Sequence, residues 1–185
     1  MKKFPQEAPA IKYQIIYADP PWKYNARNNK NTKFGGGCDA HYDCLSKEQI
    51  WNLPINNIAD DNCYLFLWVT FPKLLLGIET IKQWGFVYKT LGFSWIKTNK
   101  KNNKPFFGVG YYTKSNCEIC LLGTKGKVKP VRNTVSSVII SPREEHSKKP
   151  AIIRNKIVEL CGDLPRIELF ARQKVKNWNS WGNQV

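Results

Sequence analysis

Tyr13-Gln14-Ile15-Ile16-Tyr17-Ala18-Asp19-Pro20-Pro21-Trp22 is the stretch on which the fold turns. Its first six residues are mostly apolar and rich in β-branched and aromatic side chains, which predicts a short buried strand. Two consecutive prolines end that strand, because they lack the N–H a ladder requires. Residues 23–42 are polar, basic and glycine-rich and read as a long loop of the kind that serves as a functional lid or stays disordered. Ser46 and Gln49 have the spacing of a capping box, so a short helix should follow and stop before Pro54. Cys63 to Val69 reads as a second buried strand, and Pro72 to Trp84 as a helix with Leu74, Ile78 and Ile81 on one face and Gly85 past its end. Further extended runs are expected over Phe86–Ile96, around Glu118–Leu122, and over Val135–Ile140 and Ile167–Ala171. A helix over Pro150–Cys161 separates the last two and stops at Gly162. Strands alternating with helices predict an α/β fold whose mostly parallel central sheet carries helices on both faces. Residues 1–12 read as an N-terminal tail and 13–185 as a single domain.

Composition bounds the function. Seven Trp, eight Tyr and nine Phe in a chain that is 42% hydrophobic argue against intrinsic disorder. No apolar run is long enough to cross a bilayer, so no membrane partner is expected. Phe4-Pro5-Gln6-Glu7-Ala8-Pro9 is no apolar core of an export signal, which predicts a cytoplasmic protein. Lys and Arg total 29 against 14 Asp and Glu, a formal charge of +15. Self-repulsion of that size is easiest to understand with a polyanionic partner. The alternative is a solvated basic surface. The basic residues gather in three segments, 23–33, 97–104 and 125–132, beside aromatic residues that suit a phosphate backbone with bases stacked nearby.

The six cysteines are expected as free thiols. Cys117 and Cys120 on a strand would point to opposite faces. Cys38, His41 and Cys44 have no obvious fourth ligand, so no metal site is read from either group.

Asp19-Pro20-Pro21-Trp22 falls where α/β sheets bind ligands, beyond the carboxyl end of a strand. The prolines make a stiff turn whose carbonyls only accept. Asp19 adds an anionic acceptor, and Trp22 a broad flat face. Such a corner fits an exocyclic amine on an aromatic base, taking one N–H on Asp19 and one on the Pro20 carbonyl. That would turn the nitrogen lone pair toward an incoming methyl, with position and electrostatics as the enzyme's contribution. Taken alone, the same four residues also fit a plain surface turn.

With these motifs in place, the chain resembles the MT-A-seventy family of N(6)-adenine methyltransferases, which includes the catalytic subunit of the messenger-RNA adenine methyltransferase and many bacterial and phage DNA enzymes. The resemblance runs from about residue 13 to 185. Beyond Asp19-Pro20-Pro21-Trp22 it rests on Leu65-Phe66-Leu67-Trp68-Val69-Thr70, Trp95-Ile96-Lys97-Thr98-Asn99 and Glu118-Ile119-Cys120-Leu121-Leu122-Gly123-Thr124-Lys125-Gly126, all in the family's order. His146-Ser147-Lys148-Lys149-Pro150, Arg166-Ile167-Glu168-Leu169-Phe170-Ala171-Arg172 and Trp181-Gly182-Asn183-Gln184 continue it.

The resemblance implies a Rossmann-like methyltransferase fold and S-adenosylmethionine as methyl donor. It assigns Asp19, Pro20, Pro21 and Trp22 to the acceptor base. It assigns Lys149 to the donor's carboxylate, where a cation near a helix start is also physically apt. Arg172 would meet the ribose, Glu168 and Phe170 would wall the pocket, and Asn183 and Gln184 would read the ribose and adenine. Glu168 also fits a plain ion pair. The messenger-RNA enzyme has a His-Asn pair after its arginine, which the shorter segment Gln173–Trp178 lacks.

For the target, Tyr42 resembles a family loop tyrosine near the substrate, and Lys97, Lys100, Lys101 and Lys104 are expected to track phosphates. DNA is favoured over RNA, on resemblance to bacterial and phage members. A duplex adenine would have to flip out to reach Trp22. With no room for a separate target-recognition domain, sequence preference would come from these loops or from a second copy of the chain in a homodimer, or be slight. Two other classes stay open. One is a non-catalytic nucleic-acid-binding subunit on the same fold. The other is methylation of a different amine, in cytosine or a glutamine side chain.

Overall fold

The structure is a computed structural model that describes Phe4 and residues 11–23, 44–108, 110, 112–144 and 148–185. Tyr42 and most of the basic segment 23–33 lie outside the described residues.

Seven strands form one sheet: β1 (Tyr13–Ala18), β2 (Ala59–Val69), β3 (Val87–Thr98), β4 (Cys117–Lys125), β5 (Val138–Pro142), β6 (Arg166–Leu169) and β7 (Asn179–Trp181). Their order is β5-β3-β4-β2-β1-β6-β7. The pairs β1/β2, β1/β6, β6/β7 and β3/β5 are parallel. Strand β4 runs antiparallel to both neighbours, β2 and β3. The sheet is therefore mixed, and the mostly parallel sheet expected from the strand–helix alternation is only partly met. The reason is local. Among the described residues no helix intervenes between β3 and β4, and a strand that returns directly beside its predecessor pairs antiparallel.

Side-chain alternation along the strands divides the core into two faces. Ile16, Ala18, Leu65, Leu67, Val69 and Leu121 face helices α1 (Lys47–Trp51), α2 (Ile55–Ile58) and α3 (Leu74–Gln83), through Ile50, Ile55, Ile58 and Ile81. Ile15, Tyr17, Tyr64, Phe66, Trp68, Phe93, Trp95 and Cys120 face α4 (Ile152–Cys161), through Ile153, Ile157 and Cys161. Helices thus cover both faces, as the alternation implied. Full burial of Ile153 and Ile157 contributes roughly 2–3 kcal/mol each and holds α4 to its face.

Local signals explain most element ends. Ser46 Oγ accepts from the Gln49 N–H at 3.2 Å and the Ser46 N–H donates to Gln49 Oε1 at 2.9 Å, completing the capping box that starts α1. Gly77 lets α3 approach β2, since a Cβ there would stand 2.4 Å from Val69 Cγ1. Gly162 stops α4 at φ 92.

Other boundaries moved. Strand β2 begins at Ala59, which pairs with Tyr13 of β1, ahead of a polar start in which Asp61 and Asn62 are exposed. Strand β5 begins at Val138, three residues later than its apolar run. Strand β7 has only the residues Asn179-Ser180-Trp181, too few to show a period. Phe4, in the expected tail, is buried and meets Trp181 edge-on at 4.8 Å. Cys63, Cys117, Cys120 and Cys161 are free thiols as expected, but Cys44 is disulfide-bonded. Cys117 and Cys120 do pack on opposite faces of the sheet.

One consequence of β4's direction concerns charge. Cys63 at the start of the apolar part of β2 pairs with Lys125 at the end of β4. Gly126 packs on Asp61, and the Lys127 N–H donates to Asn62 Oδ1 at 2.7 Å. Segment 125–132 therefore lies at the opposite end of the sheet from Asp19. Of the three basic segments expected to meet a phosphate backbone, this one therefore stands away from Asp19.

Candidate active site

Asp19 leaves the end of β1, an interior strand between β2 and β6. On the α4 face, the register sets Tyr17 beside Glu168 of β6 and Phe66 of β2. Because β4 is reversed, its first residues, including Glu118, reach the same end of the sheet as Asp19, and so does Lys97 near the end of β3. Lys149 enters from the segment before α4.

These side chains form a line of alternating charge. Lys149 Nζ donates to Asp19 Oδ1 at 2.8 Å and to Oδ2 at 2.7 Å. It also lies 3.2 Å from Glu118 Oε2. Lys97 holds the other oxygen of Glu118. The indole of Trp68 lies beneath Lys149, with its centroid 5.4 Å from the ammonium, and that of Trp95 lies 5.1 Å from Lys97. Side by side with this line, Arg154 of α4 clasps Glu168 with Nε and Nη2 at 2.6 and 2.8 Å. That bidentate pair is nearly buried, at 12% and 11% side-chain exposure.

The environment tunes each group. Burial raises the Asp19 carboxyl above the ordinary 3.8, against the pull of Lys149. Burial alone would also raise Glu118, but Lys149 and Lys97 outweigh it and hold that carboxyl below its usual value. Burial would lower Lys149, yet Asp19 and Glu118 raise it, so its charge is fixed at any ordinary pH. Burial raises the Tyr17 phenol well above 10, so it stays protonated. Trp68 Nε1–H donates to Tyr17 Oη at 2.8 Å.

Tyr17, Asp19, Lys149, Glu168, Phe170 and Arg172 line a cleft of about 210 Å³, together with Lys148, Arg154, Gln173 and Gln184. Cations, carboxylate acceptors, two amides and two aromatic side chains converge there. That donor set suits a small ligand with a carboxylate, hydroxyls and an apolar ring.

The family whose model matches this chain is MT-A70, over residues 13–184. The chain belongs to the MT-A70 family. Over 98% of its length it is 34% identical to the type II methyltransferase M.MunI of Mycoplasma sp, spanning 81% of that protein. It is 29% identical over 94% of its length to a putative N(6)-adenosine-methyltransferase MT-A70-like protein of Medicago truncatula. It is 30% identical over 94% of its length to the N(6)-adenosine-methyltransferase catalytic subunit METTL3 of Homo sapiens. It spans only 26% and 28% of those last two relatives.

In this MT-A70 protein the acceptor corner and the residues assigned to the donor meet, since Asp19 and Lys149 bond directly. Glu168, Phe170, Arg172 and Gln184 share the cleft with them. Asn183 is exposed and is not among the cleft-lining residues. Phe170 takes φ 61, a left-handed turn directly after β6 that sets its ring edge-on to Trp181 at 5.2 Å.

Two expectations for site residues are corrected, those for Trp22 and Lys97, and the one for Pro20 is narrowed. Trp22 does not present a flat face: it is 5% exposed, packs in the α1–α3 core, and donates its Nε1–H to the Trp68 carbonyl at 3.0 Å. The cause is the extended pairing of Trp22 with Leu45, fixed by the Leu45 N–H to Pro21 O at 2.9 Å and the Lys23 N–H to Leu45 O at 3.2 Å. The Pro20 carbonyl already accepts from the Trp22 N–H at 2.9 Å, leaving one lone pair for any further donor. Lys97 is engaged by Glu118 and is 19% exposed, so it does not track phosphates; Lys100, Lys101 and Lys104 are exposed.

Sequence reasoning missed Tyr17, Glu118 and Arg154 as site residues. For Glu118 a signal existed: a lone carboxylate inside Cys-Glu-Ile-Cys-Leu-Leu, in a strand otherwise apolar. Arg154 follows buried Ile153 on α4 and carried no comparable mark.

Proposed function

We propose that this protein transfers a methyl group from S-adenosylmethionine to the exocyclic amine of adenine in nucleic acid, DNA ahead of RNA. The observation that carries the reading is the opening of Asp19, from the Asp-Pro-Pro-Trp corner, onto the cleft lined by Lys149, Glu168, Arg172 and Gln184. Six of the seven strands point their carboxyl ends toward that cleft, which accords with a Rossmann-like methyltransferase sheet. When bound, S-adenosylmethionine supplies an electrophilic methyl on a sulfonium.

The chain's residues would work as follows. Glu168, steadied by Arg154, offers its remaining lone pairs to ribose hydroxyls, with Arg172 beside it. Phe170 supplies an apolar wall and Gln184 an amide. Lys149 has three N–H donors and three oxygens around it, so meeting the donor's carboxylate requires it to release one of them. Tyr17, protonated and accepting from Trp68, keeps its own O–H to donate into the cleft. Asp19 retains lone pairs beyond those facing Lys149 and accepts an amine N–H. The second lone pair of Pro20 O takes the other. As positive charge develops on the nitrogen, the adjacent Asp19 carboxylate would stabilise it until the surplus amine proton passes to solvent. Trp22, buried behind the corner, holds the turn in place through its bond to Trp68.

M.MunI, a type II methyltransferase of which this chain spans 81%, weighs toward DNA, whereas METTL3 weighs toward RNA. The alternative, a non-catalytic nucleic-acid-binding subunit, draws on the burial of Trp22 and the engaged Pro20 carbonyl.

The test is direct. The protein is incubated with isotope-labelled donor and matched DNA and RNA oligonucleotides, and modified nucleosides are identified by mass spectrometry. N(6)-methyladenine in the DNA is expected. Label in another nucleoside, or none in either polymer, defeats the reading.

A further inference from the structure

The described residues of the segment 99–116, which joins β3 to β4, form a built element. The Asn99 N–H donates to Lys104 O at 2.9 Å and the Asn103 N–H to Asn99 O at 3.0 Å, closing a first turn around Lys100 and Lys101. The Phe106 N–H donates to Lys97 O at 2.8 Å and the Gly108 N–H to Ser115 O at 2.8 Å, so the two arms are tied together. A Cβ on Gly110 would stand 1.9 Å from Thr113 O, so the second turn closes tightly around glycine. The guanidinium of Arg143 lies 3.9 Å over the Phe106 ring, and the Arg143 backbone N–H donates to Thr98 O at 3.2 Å. The element is thereby braced against the chain leading to Lys149. It springs from the end of the sheet that holds Asp19.

Its composition is unusual for a surface loop. No acidic residue occurs between Asn99 and Asn116. Lys100, Lys101, Lys104 and Lys114 are all exposed. Phe107 is 68% exposed and Tyr112 is 93% exposed. Phe106, by contrast, is partly buried beneath Arg143, so of two adjacent phenylalanines one anchors the loop and the other faces water. Aromatic faces spaced among cations and free of carboxylates match a strand of unpaired bases on a phosphate backbone. A protein partner with an acidic, apolar surface would be the other occupant of such chemistry. The +15 charge of the chain and the position beside Asp19 favour the polynucleotide.

We propose that residues 99–116 are a single-strand grip: Phe107 and Tyr112 stack on unpaired bases next to the target, and Lys100, Lys101, Lys104 and Lys114 take the phosphates. The inference rests on the nucleic-acid reading above and adds the strand state and the residues that hold it. It makes unpaired or opened strands the preferred ligand over closed duplex, whose bases offer no free faces.

The experiment is fluorescence anisotropy of the full chain with a labelled single-stranded DNA oligonucleotide, across a series of salt concentrations, with the matched duplex as comparison. Phe107→Ala and Tyr112→Ala should each weaken single-strand binding by about tenfold, with the salt slope unchanged. Phe107→Tyr should restore binding. Lys100→Ala, Lys101→Ala and Lys104→Ala together should instead flatten the slope by about 2, because each lost phosphate contact removes about 0.7 on single strands. Aromatic variants within twofold of wild type, or duplex bound as tightly as single strand, overturn the proposal. So does a dimer by light scattering that Phe107→Ala dissociates, since the rings would then face a second copy. Failure of methyl transfer in wild type, with single-strand binding and its aromatic dependence intact, defeats the enzymatic reading and leaves the grip standing.

Discussion

The ammonium of Lys149 stands 2.8 Å and 2.7 Å from the two carboxylate oxygens of Asp19, across 130 residues of sequence. The pair joins the two halves of the proposed site, with Asp19 in the proposed acceptor corner and Lys149 on the proposed donor side. Lys149 cannot serve a third carboxylate without loosening its hold on Asp19 or Glu118. Filling the cleft and freeing the acceptor corner are therefore linked through one cation.

Asp19→Asn keeps the shape of the corner and removes its charge. Lys149 remains held by Glu118, so the donor side should stand. Methyl transfer should fall by about a hundredfold or more, the scale seen when one preorganised electrostatic partner is lost. Donor affinity by calorimetry should stay within a few-fold. A variant with near-normal rate would remove Asp19 from the chemistry.

Glu118→Gln and Lys149→Gln should move the acid limb of the rate profile in opposite directions. Asp19 acts as a carboxylate, so the active form is lost as pH falls through its ionisation, which burial has already raised above 3.8. Lys149 lowers that ionisation and Glu118 raises it. Lys149→Gln should shift the limb to higher pH and Glu118→Gln to lower pH, measured as kcat with both substrates saturating. Shifts of the same sign would mean that another group sets the limb. Lys149→Gln should also weaken donor binding by calorimetry; an unchanged affinity would dissociate this lysine from the donor.

Much of this arrangement was legible in the sequence, for identifiable reasons. Strand β1 and its diproline stop could be read because the prolines punctuate at a fixed place. The capping box of α1 and Gly162 after α4 are equally local signals. The pairing of β4 was not legible, since strand direction is decided by what lies between strands, and residues 99–116 have no helical period to count. That single reversal carries Glu118 into the site and sends Lys125 to the far end. The burial of Trp22 was hidden for a similar reason: it depends on Leu45, which lies beyond a glycine-rich stretch with no readable register.

Arg154→Met should destabilise the fold strongly, because it leaves the Glu168 carboxylate at 11% exposure without its partner. Breaking such a pair from one side costs about 3–5 kcal/mol, whereas replacing both partners with apolar residues of similar size is often close to neutral. The double variant Arg154→Met/Glu168→Leu should therefore recover most of the lost thermal stability while binding the donor poorly. Recovery of stability together with full donor affinity would show that Glu168 is a structural ion pair alone, the other role its sequence context allowed.

Lys125, Lys127 and Lys129 provide the control that distinguishes a local interface from bulk charge. They equal Lys100, Lys101 and Lys104 in number and charge, but β4 delivers this segment to the end of the sheet away from Asp19, beside Asp61 and Asn62. Changing all three to alanine removes the same +3 from the molecule. If phosphates are held only at the Asp19 end, oligonucleotide affinity should fall by no more than about twofold at 0.15 M salt, where charges more than about 8 Å from the ligand are largely screened. The salt slope should stay at its wild-type value, in contrast to the other triple variant. Equal losses from the two sets would mean that the polyanion reads the net charge of the protein rather than the loop beside its cleft.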